Sequence, residues 1–380
     1  MKKILTIFLL SLLLLFSARS AFAIENPLSS TNNKFGIHIL FPSELSDAAK
    51  LVNSNGGDWG YVTIPIQAGD KDRAKWQDFL NQCGQLHLIP ILRLATEGDY
   101  FNTTVWRKPN FLDVLDFANF LGDLHWPVKN RYIIVFNEVN RGDEWGGQPN
   151  SGEYADILSY AVTAFKTKNP DFFVISAGLD NAAANSSTAI NEYTFLSGMN
   201  NAIPGIFNQI DGFGSHSYPN PGFSTPPGIS NTESIASFKY EKQLISQNTS
   251  KDLPVFITET GWTRDSISDA QIASYYQTAF STTWNDPSIA AITPFLLKAG
   301  AGPFQNFSME NNDGSLTAAF KLIESLPKPK GAPHIVPQVL AAETKTTQVP
   351  TAEFAKSTLN NPAFTISSNV KAFLKWLLHY

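Results

Sequence analysis

The 380-residue chain sets 28 lysines and arginines against 33 aspartates and glutamates, a net charge of −5, and has no run rich in basic residues. That balance argues against nucleic acid as a partner. A single cysteine, Cys83, excludes an intramolecular disulfide, so stability must come from a buried core, which a chain of this length can build.

At the N-terminus, Lys2 and Lys3 precede the apolar run ILTIFLLSLLLLF and then SARSAFA, whose Ala21-Phe22-Ala23 fits a signal-peptidase site. Residues 1–23 are therefore expected to be a signal peptide and the protein to be secreted or displayed at the cell surface. The alternative is an uncleaved anchor, for which the apolar run is short.

Eight strand candidates follow: FGIHIL from Phe35, WGYVTIPI from Trp59, LIPILRLA from Leu88, RYIIVFNE from Arg131, FFVISAGL from Phe172, GFGSHSY from Gly212, VFITETGW from Val255 and AITPFLL from Ala291. Between and after them lie segments with apolar residues at helical spacing, among them SDAAKLVNSNG, KDRAKWQDFLNQCGQL, FLDVLDFANFLGDL, GEYADILSYAVTAFKTKN, DAQIASYYQTAFSTTW and SLTAAFKLIESL. Strands alternating with helices imply parallel crossovers, and eight such units predict an α/β fold of the (β/α)8 TIM-barrel type, a single catalytic domain over residues 24–326. A doubly wound open sheet is the alternative, disfavoured because no GxGxxG turn follows the first strand.

Residues 327–366 are proline-rich without hydrophobic period and predict a linker or extended tail. Residues 367–380 place Val370, Phe373, Leu374, Leu377 and Leu378 at helical spacing, which suits a helix docking back on the domain. With Lys371 and Lys375, the alternative is association with a membrane surface.

Two strand candidates end in groups that are costly to bury. IIVFNEVN delivers Asn137 and Glu138, and VFITETGW delivers Glu259. In a barrel, C-terminal strand ends form the open reactive face, so the glutamates of strands four and seven would meet across one cleft. His38, Arg93, His216 and Tyr218 lie near the same ends of strands one, three and six, and the two-residue spacing puts His216 and Tyr218 on one strand face. Trp145 and Trp262 follow the two glutamates on loops where a sugar ring could stack on them. Two carboxylates supply what glycosidic cleavage needs: a proton for the leaving oxygen and a nucleophile or negative charge for the sugar. They must differ in acidity to do so, with a cation and a phenol favouring one anion and apolar walls keeping the other protonated. No HExxH, HxH, GxSxG or P-loop is present, so a metal site, a nucleophilic serine and nucleotide chemistry have no support.

With Asn137-Glu138 closing strand four, Glu259 in TETGW closing strand seven and SHSY on strand six, residues 30–326 resemble the clan A glycoside hydrolases, the retaining (β/α)8 enzymes that include cellulase-like and xylosidase-like families. The resemblance implies Glu138 as general acid/base and Glu259 as nucleophile. It implies Asn137 on the sugar 2-hydroxyl, and Tyr218 or His216 orienting Glu259 and meeting substrate. The family's arginine beside the nucleophile usually comes from strand two, whereas the candidate here, Arg93, lies on strand three, and Phe295 occupies the strand-eight position where many relatives carry a tryptophan. The expectation is an exported retaining O-glycosyl hydrolase acting on β-linked oligo- or polysaccharide, with no metal or cofactor. The alternative is a non-catalytic glycan-binding or cell-surface scaffold barrel.

Overall fold

The computed structural model describes residues 24–96, 105–300, 302 and 304–337. The expected signal peptide (1–23), the expected amphipathic segment (367–380) and residues 338–366 of the proline-rich stretch lie outside the described residues. No described helix is long and apolar enough to cross a membrane.

The strands are β1 (Gly36–His38), β2 (Gly60–Gln67), β3 (Leu88–Ala95), β4 (Arg131–Val135), β5 (Phe172–Ser176), β6 (Phe213–His216), β7 (Val255–Glu259) and β8 (Ile289–Ile292). The helices are α1 (Leu45–Val52), α2 (Arg73–Gln85), α3 (Phe111–Gly122), α4 (Ser151–Lys168), α5 (Glu192–Ala202), α6 (Ile206–Gln209), α7 (Ser237–Ser246), α8 (Asp269–Ser281) and α9 (Ala318–Ser325). Side chains at the N-caps start most of them: Asp72, Asn150 and Asn191 each accept two backbone N–H groups, and Asn110 forms a capping box with Asp113.

All strand pairs are parallel. β1 to β5 form one sheet in chain order and β6 to β8 a second. The sheets adjoin at isolated parallel bridges, Ile175 with Gly212 and Asp180 with His216 at one seam and Phe35 with Ile292 at the other. The hydrogen-bonded ladder is thus not continuous around the molecule, unlike the closed barrel expected from the pattern. The strands flanking the seams include the shortest, three residues in β1 and four in β6 and β8, and offer few backbone groups to extend the ladder.

Strand alternation sorts the core into two clusters. Val62, Ile64 and Ile66 of β2 and Leu92 and Leu94 of β3 pack with Trp76, Phe79 and Phe117 of the helices. Their strand neighbours Tyr61, Ile89 and Ile91 pack instead with Tyr132, Phe173 and Phe256. The second cluster fills the space between strands below the C-terminal strand ends, so polar side chains on that face emerge only above it.

The proline-rich stretch begins by binding the domain. Gly331 N–H donates to Asp58 O at 2.9 Å, Lys129 N–H to His334 O at 2.8 Å and Val336 N–H to Pro127 O at 2.9 Å. An extended segment leaves its remaining N–H and C=O groups free for such pairing, which composition does not reveal.

Candidate active site

The strands place the reactive groups by two local departures from regularity. β6 and β7 pair Ser215 with Ile257, then His216 with Glu259, so Thr258 is an extra residue that turns Glu259 toward His216. Beyond β4, Phe136 (φ 69°) and Glu138 (φ 35°) both adopt left-handed backbone, a conformation that costs about 1–3 kcal/mol per residue. Glu138 is held there by its N–H donating to Gly178 O at 3.0 Å.

Around Glu259, Arg93 Nη1 donates to Oε1 at 2.9 Å and Tyr218 Oη donates to Oε2 at 3.1 Å. The same Arg93 nitrogen also donates to Asn137 Oδ1. His216 Nδ1 lies 3.0 Å from Glu138 Oε1 and 3.8 Å from Glu259 Oε2, and Arg141 Nε lies 3.8 Å from Glu138 Oε2. His38 Nδ1 stands 3.7 Å from Glu259 Oε1. One oxygen of each glutamate and a ring nitrogen of His216 fall within 4.8 Å of one another. Among the described residues this trio is the one cluster of carboxylate and imidazole groups close enough to hold a metal ion, and the two guanidinium groups beside it disfavour a further cation.

The environment sets the protons. Burial pushes the Glu138 carboxyl up, but the His216 hydrogen bond and the charges of His216, Arg141 and Arg93 outweigh it and hold the group below the usual carboxylate range. Burial lowers His216, whereas Glu259 and Glu138 raise it, and the net shift is upward. The proton between them therefore rests on the imidazole, opposite to the protonated Glu138 expected from apolar walls. His38 is held well below its usual range by burial and by Arg93, and stays neutral. Burial and the adjacent Glu259 hold the Tyr218 phenol well above its usual range, so it remains a donor.

Behind β6, Ser215 and Ser237 donate to Glu241 Oε1 at 2.8 and 2.9 Å, and the Ser237 and Ser217 hydroxyls lie 3.0 Å apart. This network anchors the strand carrying His216 and Tyr218 to α7. Burial raises Glu241 to about 7.

A cleft of about 440 Å³ opens above the two glutamates. One side is polar, with Arg93, Asn137, Arg141, Asp143, Glu144 and Asp180; the other is the apolar wall of Leu40, Phe223, Phe295, Phe304 and Phe307. The wall packs edge to face, with Phe223 and Phe307 at 5.1 Å and Phe295 and Phe304 at 5.1 Å. Arg93, Asn137, Glu138, Tyr218 and Glu259 line the cleft as expected. His38 and His216 sit behind the carboxylates, 0% and 1% exposed. Trp145 and Trp262 do not line the cleft: they are 0% and 2% exposed. Trp145 packs on Phe136 and Tyr154, and Trp262 donates to Thr225 O at 2.9 Å. Both loops fold their large aromatic inward because burial of an indole is worth more there than exposure. The indole facing the cleft is Trp106, half-buried on the segment before α3. Arg141, Asp143, Glu144, Asp180 and the phenylalanine wall were also missed. Only NRGDEWGG, with three acids or cations beside Glu138, carried a signal for some of them.

No family model matches the sequence, and no curated protein matches it. Solved structures do resemble it. A family 39 glycoside hydrolase from the gut symbiont Bacteroides cellulosilyticus WH2 aligns over 79% of this chain at 16% identity and a TM-score of 0.55, and this chain spans 64% of that one. A GH39 beta-xylosidase from Caulobacter crescentus aligns over 78% of this chain and 72% of its own, at 15% identity and a TM-score of 0.53. A GH5_18 protein from Bifidobacterium longum subsp. infantis aligns over 79% and 81%, at 12% identity and a TM-score of 0.56. The parallel α/β architecture of this chain is a clan A glycoside hydrolase-like fold.

Proposed function

We propose that the protein is an exported retaining glycoside hydrolase that cleaves β-linked oligo- or polysaccharides, with Glu259 as nucleophile and Glu138 as acid/base on a (β/α)8 barrel. The observation that carries this reading is the pair of carboxylates at the ends of β4 and β7, with oxygens within 4.8 Å at the floor of a cleft. Retaining glycosidases hold their carboxyl groups about 5–5.5 Å apart, whereas inverting enzymes leave about 6.5–9.5 Å for a water.

Each neighbour has a task in that reaction. Arg93 and Tyr218 each occupy one oxygen of Glu259 and fix the direction of its attack. Asn137 gives its carbonyl to Arg93, so its amide N–H groups remain to donate to the sugar 2-hydroxyl. The phenylalanine wall and Trp106 offer aromatic faces to a sugar ring, and the carboxylates across the cleft disfavour uronate or sulfated units. The chemistry needs no cofactor, since nucleophile and proton both come from the chain.

The test is turnover on aryl β-glycosides and β-linked oligosaccharides, with proton NMR of the first-formed anomer. Retention of configuration, lost turnover in Glu259→Ala and kept glycan binding are the expected results. Unchanged turnover in Glu259→Ala would sink the mechanism, and binding without turnover in the parent protein would establish a glycan-binding scaffold instead.

A further inference from the structure

Six residues beyond Glu138, the loop between β4 and α4 presents a carboxyl group that the reaction above does not use. Glu144 is bracketed by two anchored neighbours. Asp143 is gripped by Arg141, at 3.0 Å from Nε and 2.6 Å from Nη2, and its carbonyl accepts from Trp106 N–H at 2.6 Å. Trp145 is fully buried, and its N–H donates to Gly142 O at 3.1 Å. Between them Glu144 is half-buried and lines the cleft, and among the described residues no hydrogen bond or ion pair reaches its carboxyl group. Arg141 cannot serve it, being engaged by Asp143 and, at 3.1 Å, by Asp180.

A half-buried carboxylate beside other acids, with no protein partner, is favoured when it is neutral or meets a ligand. The groups facing it favour its neutral form. Burial and the negative charges of Glu138, Asp143 and Glu259 raise it to about 7, against the single opposing charge of Arg93. Resting on the glycosidase reading, we propose that Glu144 is a substrate-binding residue that works as a neutral carboxylic acid, donating a hydrogen bond to an oxygen of the sugar unit on the Glu138, leaving-group side of the cleft. The ligand class this selects is a glycan with a sugar as leaving group, rather than a glycoside of a simple alcohol.

The experiment compares the parent protein with Glu144→Gln and Glu144→Ala on β-1,4-linked xylo-, cello- and manno-oligosaccharides and on the corresponding aryl β-glycosides, from pH 5 to pH 9. For oligosaccharides, Glu144→Ala raises KM about tenfold, the worth of one neutral hydrogen bond, and for aryl glycosides it raises KM several-fold less. Glu144→Gln, still a donor, keeps the parent KM. In the parent, oligosaccharide KM climbs above about pH 7 as the donor proton is lost, and in Glu144→Gln this climb disappears. An unchanged KM and pH profile in Glu144→Ala would overturn the proposal. So would a Glu144→Gln variant as impaired as Glu144→Ala, because the anion would then be the working form. If the parent hydrolyses nothing, the glycosidase reading fails by itself and calorimetric titration of the same oligosaccharides decides the role of Glu144. Binding weakened in Glu144→Ala and kept in Glu144→Gln sustains it, and equal or absent binding in all three proteins overturns it.

Discussion

Gly178 is the sharpest handle on the catalytic geometry, because a β-carbon there would lie 2.1 Å from Cδ2 and 2.5 Å from Nε2 of His216. Ordinary contact begins at 3.4 Å, so Gly178→Ala must drive the imidazole about 1.3 Å from its place. A shift of that size breaks the 3.0 Å link between His216 and Glu138. Misplacement of a reacting group by about 1 Å costs on the order of 10²-fold in rate. The same substitution overpacks the interior, at about 1–3 kcal/mol of stability. Gly212→Ala separates the two effects. Its β-carbon meets Phe256 at 2.8 Å and Phe173 at 3.0 Å in the lower core, away from the carboxylates. The assay is kcat and KM on the best substrate of the panel, well below the Tm of each variant, beside thermal unfolding. Gly178→Ala is expected to lose about 10²-fold in kcat, and Gly212→Ala to lose stability with near-parental kcat. Equal losses of kcat in the two variants, or none in Gly178→Ala, would refute the reasoning.

The aromatic assignment is tested by a pair of substitutions. Trp106→Ala is expected to raise KM for oligosaccharides with little loss of Tm, whereas Trp262→Ala should cost about 3–5 kcal/mol of stability and leave the KM of the folded fraction alone; the opposite pattern would restore Trp262 to the cleft. The buried acids behind β6 predict a pH dependence of folding. Glu241 is raised to about 7 and Glu192 well above its usual range, so the folded chain holds protons that the unfolded chain releases near 4.5, and stability falls as pH rises between about 4.5 and 7. Glu241→Gln keeps an oxygen for Ser215 and Ser237 and should flatten that fall in denaturant titrations, whereas an unchanged slope would show that Glu241 ionises freely.

Periodicity carried the architecture. The run from Leu88 to Ala95 is β3 in full, and the helical patterns beginning at Phe111 and Asp269 begin α3 and α8. It marked neither α5 nor α7. In those helices Glu192 and Glu241 are buried where a hydrophobic pattern wants apolar residues, because buried neighbours rather than solvent surround them. Glu138, Glu259, Arg93, Asn137 and Tyr218 were legible because a polar group closing an apolar strand has few reasons to be there. The cleft walls were not. Trp106, Phe223, Phe304 and Phe307 lie on irregular loops, where no period tells inward from outward, and the indoles of Trp145 and Trp262 were misplaced for the same reason.

The protonation of the cleft fits the proposed double displacement once the charge of Glu259 is followed. His216 is raised by both carboxylates, through the charge of Glu259 and through the hydrogen bond and charge of Glu138. As Glu259 bonds to the anomeric carbon its charge disappears, and buried His216, 1% exposed, loses one of the two carboxylate charges that favour its cation. Its proton then passes across the 3.0 Å contact to Glu138 and on to the departing oxygen. Hydrolysis of the glycosyl ester reverses the sequence: Glu138 takes a proton from water, His216 recovers it, and Glu259 leaves as the anion. The low affinity of Glu138 for a proton therefore does not oppose its proposed role as acid, since the event that demands the proton also drives it from the imidazole. The two-residue spacing of His216 and Tyr218 ties the steps together, because one strand end touches both carboxylates and registers at one what happens at the other.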